Sequence, residues 1–208
     1  MSAPPPAAAL PILGEQGFIL EGIVSTIGAD GQPHIAPMGP IVDATLDRLW
    51  LRPFQTSTTF ANLKGTGVGV FHVTDDVELL ARAAVGQLTP PPRLMAAESI
   101  AGVILADACR WYAFEVESLD DAAERTSIVA RVVARGVLRE FVGFNRARHA
   151  VVEAAILATR IHLLGAAEIQ AEFARLAAPV AKTGGAAERR AFDLLRHYVQ
   201  THAAAAAQ

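Results

Sequence analysis

The dominant period of the apolar residues changes near residue 144, and that change limits the fold more than any other feature of this chain. Upstream, the runs 18–27, 33–42, 48–54, 67–73, 110–117 and 127–138 have the Ile, Val and Thr content or the two-residue alternation of strands. Downstream, 146–164, 167–177 and 187–202 follow the helical period, punctuated by Gly165 and by Thr183-Gly184-Gly185. Two short helices interrupt the strands. One covers 56–64 and stops at Gly65 and Gly67. The other covers 75–85, where Asp75 as cap and Glu78 three residues on make a capping box. Strands first and helices afterwards give an α+β fold and exclude a parallel doubly wound sheet. Asp30-Gly31 joins the first two strands as a hairpin turn, because glycine takes the positive φ such turns need. Pro33, Pro37 and Pro40 cannot donate ladder hydrogen bonds, so the second strand belongs at an edge or at a bulge. Pro90, Pro91 and Pro92 make 87–93 a loop, and Asn145 is placed to cap the first long helix.

With 208 residues, the chain suits one domain, or one with a small appendage. Only 19% of its residues are charged, which leaves little polar surface for a monomer and favours a buried subunit interface. A net charge of −3 without a basic stripe argues against a nucleic-acid partner. No run of about 18 uncharged apolar residues is present, so no membrane segment is expected. Residues 1–13 are apolar but lack the basic start of a signal peptide, and read as a loose arm. Cys109 stands alone, so it can form neither an internal disulfide nor a zinc site; it reads as a core residue of a cytoplasmic protein. The six histidines include no pair at ligand spacing with another His or Cys, and no metal site is expected.

Two stretches carry chemistry. In Arg52-Pro53-Phe54-Gln55-Thr56-Ser57-Thr58-Thr59 a strand delivers an arginine, and four hydroxyl residues then open a helix. Phosphate needs donors from several sides. A helix N-terminus offers free N–H groups and a favourable dipole, and a guanidinium offers a fork that matches phosphate oxygens. A plain helix cap beside a solvated arginine explains part of this pattern, but four hydroxyls exceed what one cap uses. In the second stretch, His34, Ala36 and Met38 share one strand face while Ile35 and Pro37 take the other, leaving little bulk where a flat ring would lie. On the long helix, Arg146, His149, Glu153 and Arg160 form one stripe; most such stripes are solvated faces, and the sharper reading has it line a cleft or a dimer seam.

Together, "DGQPHIAPMGP", "LWLRPFQTSTTFANL" and "GVGVFHVTDD" resemble the FMN-binding split-barrel superfamily of flavin reductases and pyridoxamine-phosphate-oxidase-like proteins. With the following "GFNRARHAVVEAAILATRIHLL", the resemblance is closer to small archaeal and bacterial flavoproteins grouped as domain-of-unknown-function family 447, and covers about residues 17–200. It implies a six-stranded split β-barrel over residues 15–142, a flexible arm at 1–14 and a C-terminal helical segment over 143–204. It further implies a homodimer with FMN near its interface. The phosphate would meet Arg52, Thr56, Ser57, Thr58 and Thr59, with Phe54 and Asn62 beside them, and the ring would rest against His34, Ala36, Pro37 and Met38. The implied activity is that of an FMN-dependent oxidoreductase, in a context linked to methanopterin one-carbon metabolism. The alternatives are a non-catalytic flavin carrier or sensor whose helical tail docks a partner, and a barrel holding deazaflavin or haem. No G-x-G-x-x-G fingerprint follows a strand, so a nicotinamide or deazaflavin donor would use an open cleft. Ala36, Gly39 and Gly69 would leave room there, the 87–93 loop would form a wall, and Arg93 would meet an anionic donor.

Overall fold

The structure is a computed structural model that describes residues 11–206; the first ten residues of the expected arm lie outside them. Each of the first two expected strands breaks once. Residues 18–27 become β1 (Phe18–Ile19) and β2 (Gly22–Ile27), and residues 33–42 become β3 (Pro33–Met38) and β4 (Ile41–Val42). The breaks fall at Leu20-Glu21 and at Gly39-Pro40, where the proline removes a ladder donor. The chain then forms β5 (Arg48–Leu51), α1 (Thr58–Thr66), β6 (Val68–Val73), α2 (Val77–Ala84), β7 (Leu94–Ala97), β8 (Gly102–Leu105), β9 (Arg110–Asp120) and β10 (Ser127–Val137). Three helices follow: α3 (Arg146–Thr159), α4 (Ala166–Thr183) and α5 (Ala186–Ala206).

The main sheet is antiparallel and has eight strands in the order β1-β4-β5-β10-β9-β6-β2-β3, where six were expected. The extra strands come from the two breaks. The outer half of the first hairpin, β2 with β3, lies at one edge, and its inner half, β1 with β4, lies at the other. Leu20 N–H donates to the Pro40 carbonyl at 3.1 Å, so the hairpin stays paired through its bend. The sheet therefore curls until its two edges are successive parts of one hairpin. Register shifts between Val129/Ala130 and Val132/Ala134 in β10 supply the curvature. At the hairpin tip Gly31 takes φ 77°, as Asp30-Gly31 implied. β3 is an edge strand, in keeping with its prolines.

The curled sheet encloses Val24, Leu49, Leu51, Phe71, Phe114 and Ile128, and α1 joins this core with Phe60 and Leu63. Across β2 the alternation turns Ile23 the other way. It and Ile35 join a second core made with α2, α3, α4 and α5. β2 is thus buried on both faces, which is why it reads as a continuous apolar run. β7 and β8 form a separate hairpin that the sequence did not announce, because Leu94–Ala97 carries no β-branched residue. It docks through Ser25 Oγ, which donates to the Val103 carbonyl at 2.5 Å, and through Leu105 N–H, which donates to His72 Nε2 at 3.0 Å.

Helix ends differ from expectation in instructive ways. Asp76, not Asp75, caps α2, accepting from Leu79 N–H at 2.9 Å, and Glu78 pairs with Arg190 at 2.7 Å instead of closing a capping box. Asp75 is instead buried, with Arg139 and Arg148 as ion-pair partners. Asn145 caps α3 as expected, accepting from Ala147 and Arg148 N–H, but α3 stops at Thr159, short of Gly165. α4 runs on to Thr183 through Pro179.

Candidate functional site

Arg52 leaves the end of β5, and its neighbours are pinned to the segment that precedes β10. Pro53 O accepts from Thr126 N–H at 3.0 Å and from Thr126 Oγ1 at 2.8 Å. Phe54 bridges Arg125, and Gln55 donates to the carbonyls of Asp121 and Ala123. Lys64 of α1 pairs with Asp121 at 2.7 Å, so α1 is fastened to the same segment. Arg125 Nε donates to Arg52 O at 3.2 Å. Each guanidinium lies over an aromatic ring: Arg52 at 5.8 Å from the Trp50 centroid and Arg125 at 5.2 Å from that of Phe54. Trp50 is itself fixed by donating to Ser127 Oγ at 2.8 Å.

One donor in this arrangement has no partner. Arg52 Nε is buried and unbonded, and it is the only such side-chain atom among the described residues. A buried donor left unpaired is costly, so an acceptor from outside the chain fits there. Nearby, α1 opens without an acidic residue in its first turn. Of the four hydroxyls, Ser57 is committed to the cap: it accepts from Phe60 N–H at 3.2 Å and donates to Phe54 O at 2.7 Å. Ala61 N–H bonds Ser57 O, which leaves the Thr58 and Thr59 N–H groups as the free donors of the helix start. Thr56 and Thr58 are exposed and Thr59 is buried. Asn62 is buried one turn on, where its amide donates to Thr26 Oγ1 at 2.9 Å and ties α1 to β2.

Thr26 stands opposite His34 in the β2–β3 register, Val24 opposite Ala36, and Gly22 opposite Met38. His34, Ala36 and Met38 therefore share the face of Val24 and Thr26, next to α1, while Ile35 packs into the helical core. All of His34, Ala36, Pro37 and Met38 are half-buried, and burial lowers the His34 pKa. The two stretches singled out in the sequence thus meet through Asn62 and Thr26.

The helical stripe splits. His149 makes an edge contact with the exposed Phe144 at 5.8 Å between centroids. Glu153 and Arg160 instead act through their charges on Glu21 at the hairpin bend. Burial raises the Glu21 carboxyl, Glu153 adds to the rise, and Arg160 opposes it. Burial also lowers the Arg125 guanidinium, followed by the charges of Arg52 and then Arg160. Arg160 is therefore in electrostatic reach of both the bend and the Arg52–Arg125 pair. Arg125 carries no signal in the sequence, because it sits in an irregular segment, and neither does Glu21, which marks a bend inside an apparent strand.

Three expectations about the cleft are corrected. Gly69 faces the Phe114 ring inside the sheet, where an added Cβ would come within 2.6 Å of it, so its small size serves barrel packing. Arg93 is paired with Asp107. The 87–93 loop leans on Arg82, and with Glu78 and Leu194 it lines a shallow pocket that shares no residue with the Arg52–Met38 region. Among the described residues no cluster of three His, Cys, Asp or Glu residues is placed to hold a metal, and no helix is long and apolar enough to cross a membrane.

Residues 20–139 match the family model described as the DUF447 N-terminal domain, a protein of unknown function, and residues 145–197 match the companion DUF447 model. The chain belongs to the DUF447 family. A crystal structure of an FMN-bound DUF447 protein from Methanosarcina mazei superposes with a TM-score of 0.73 at 28% identity, covering 86% of this chain and 94% of that one. The curled-sheet region also matches nitrilotriacetate monooxygenase component B from Bacillus cereus (TM-score 0.50, 17% identity, 58% of this chain and 70% of that one). A flavin reductase domain protein from Arthrobacter sp. FB24 matches similarly (TM-score 0.50, 17% identity, 58% and 79%). These last two show the fold alone. Among curated proteins none matches the chain significantly.

Proposed function

We propose that this DUF447 protein binds FMN and works as an oxidoreductase on a small diffusible donor or substrate. The observation that carries the reading is the buried, unbonded Arg52 Nε beside a helix start with free N–H groups. A phosphate monoester supplies the missing acceptor, and FMN-bound Methanosarcina mazei protein, alike over most of both chains, supports FMN as its bearer. Arg52 and the Thr58 and Thr59 N–H groups hold the phosphate, and the His34–Met38 face with its small Ala36 offers the ring a flat seat. Bound FMN supplies hydride or electron transfer. The chain's part is to bind, orient and shield the flavin.

The nicotinamide or deazaflavin donor and the link to methanopterin one-carbon metabolism belong to the same proposal and rest on the family resemblance. So does the homodimer, which one feature of the chain favours: Val137, Phe141, Val142 and Phe144 are exposed along one short segment, a row of apolar side chains suited to cover by a second copy. The test of function is anaerobic mixing of the purified protein, loaded with FMN, with each reduced donor while following the oxidised flavin band. Bleaching by a nicotinamide or deazaflavin supports an oxidoreductase. Bleaching by dithionite alone replaces it with a carrier or sensor, and failure to retain FMN overturns the cofactor.

A further inference from the structure

We propose that His34 is a catalytic residue of this site, an imidazole laid against the flavin ring that takes up one proton as two electrons enter the ring and gives it back as they leave. The inference rests on the FMN reading and deepens it, because it names the group of the chain that answers the change of charge on reduction.

The first ground is placement. The β2–β3 register sets His34 opposite Thr26, on the face it shares with Ala36 and Met38. It is the one titratable side chain of β3, and it is half-buried. The second ground is a free imidazole. His72 uses both ring nitrogens, whereas among the described residues neither nitrogen of His34 has a hydrogen-bond partner. Thr26, across from it, accepts from Asn62. A polar group drawn partly out of water without a partner is ready for one on a ligand, and an isoalloxazine ring offers carbonyls and ring nitrogens along its edge. The third ground is the lack of a fixed counter-charge. The elements packed against β3 are β2, α1 and α2. β2 has no titratable residue, and Lys64, the only one on α1, pairs with Asp121. On α2, Glu78 pairs with Arg190, and Arg82 donates to the carbonyls of Gln87 and Pro90. Beyond Met38 the Glu21 carboxyl lies over Gly39 at the bend. None of these charges acts on His34; burial alone does, and it lowers the imidazole below its ordinary value. An imidazole so placed is neutral beside an uncharged ring and becomes the cation when negative charge arrives there. A hydride donor delivers two electrons and one hydrogen to the ring, which leaves one added negative charge on it. His34 takes its proton from water to offset that charge, and releases it when the electrons pass to an acceptor.

The experiment follows His34 by NMR in protein labelled at histidine, titrated with pH without flavin, with oxidised FMN, and with FMN reduced under anaerobic conditions. The resonance that His34→Gln removes is that of His34. Its midpoint is expected to lie below the ordinary histidine range with oxidised FMN and to rise by about one pH unit or more on reduction, while that of the exposed His197 on α5 stays put. A potentiometric titration of the bound flavin gives a second readout. At one fixed potential the ratio of reduced to oxidised flavin falls about a hundredfold per pH unit when two protons accompany the electrons, and about tenfold when one does. Within the pH window opened by the His34 rise, wild type is expected to take up one proton more than His34→Gln. His34→Asn repeats the comparison if the glutamine variant does not hold flavin. A His34 resonance that ignores the redox state, or equal proton counts in wild type and variant, overturns the inference alone. A His34 resonance unmoved by oxidised FMN overturns the ring seat with it, and a wild type that does not retain FMN overturns the FMN reading itself.

Discussion

Arg52 and His72 show how far single residues can be read. Arg52 stood out because a strand delivers it beside four hydroxyls, and the structure gives it the one orphaned donor among the described side chains. Arg52→Ala should therefore weaken FMN by roughly tenfold or more, the equivalent of about 1.5–3 kcal/mol for a charge-assisted hydrogen bond, with riboflavin spared. A fluorescence titration with the two ligands decides it. Ser57 was legible as a hydroxyl at a helix start, but not as the one consumed by the cap; only the φ and ψ of the turn select it. Arg125 was not legible, because it is placed by a backbone bridge to Phe54, a residue far from it in the sequence. His72 lay unmarked in an apolar run. It is fully buried, its Nε2 accepts from Leu105 N–H, and Nδ1–H donates to the Ile23 carbonyl at 3.1 Å. Burial pushes it down to about 4, against the pull of the Ile23 hydrogen bond. The unfolded chain, with an ordinary imidazole near 6.5, then binds more protons than the folded one between about pH 6.5 and 4. Stability is full above that window and is lost as pH falls through it, by up to about 3 kcal/mol. Urea unfolding at stepped pH should show this slope, and His72→Gln, which titrates nothing, should flatten it.

At the scale of elements, the alternation of apolar residues found the strands but not their breaks. A two-residue period continues in register across Leu20-Glu21 and Gly39-Pro40, so nothing in the side-chain pattern says that the hairpin bends there and sends its halves to opposite sheet edges. The cue was present as Gly39-Pro40, and it was absorbed into a general expectation of an edge strand. α4, expected over 167–177, runs on past Pro179 to Thr183, because the helix packs Ile169, Phe173 and Val180 into one core. β2 is the element under most constraint, since it is buried on both faces and pairs with β3 and β6. At its start, a Cβ on Gly22 would lie 2.3 Å from the His72 carbonyl oxygen and 2.7 Å from the Phe71 ring. Backbone cannot swing aside as a side chain can. Gly22→Ala should cost the upper end of about 1–3 kcal/mol, seen as a lower denaturation midpoint with an unchanged slope.

The molecule as a whole is joined twice across the point near residue 144 where the sequence changes period. Ile23 and Ile35 of the sheet share a core with α2 and all three C-terminal helices. A chain of charges runs beside it: Arg139, just after β10, pairs with Asp75, Arg148 of α3 reaches Asp75 at 3.3 Å and Glu188 of α5 at 3.0 Å, and Glu188 also accepts from Gly185 N–H. Burial pushes the Asp75 carboxyl up, but hydrogen bonds from Arg139 and Val142 and the charges of Arg139 and Arg148 more than offset it and bring it to about 2. The change of period therefore marks a change of architecture without marking a boundary in cohesion, because contacts between distant residues leave no periodic trace. The chain's two tryptophans, Trp50 and Trp111, both lie in the sheet, so their fluorescence reports the sheet while far-ultraviolet circular dichroism is dominated by the helices. With one shared core, wild type should unfold with the two signals superimposed, the mark of a two-state transition. Arg148→Ala removes the residue that links sheet-side Asp75 to helix-side Glu188 and leaves two buried carboxylates under-compensated. Asp75 keeps Arg139 and Glu188 keeps a backbone donor, so the expected loss stays below the roughly 3–5 kcal/mol of a fully broken buried pair. Because α3 and α5 lose their tether to the sheet while the sheet interior is untouched, the circular dichroism midpoint should fall ahead of the fluorescence midpoint. Coincident midpoints in Arg148→Ala would show that the shared apolar core alone holds the two halves together.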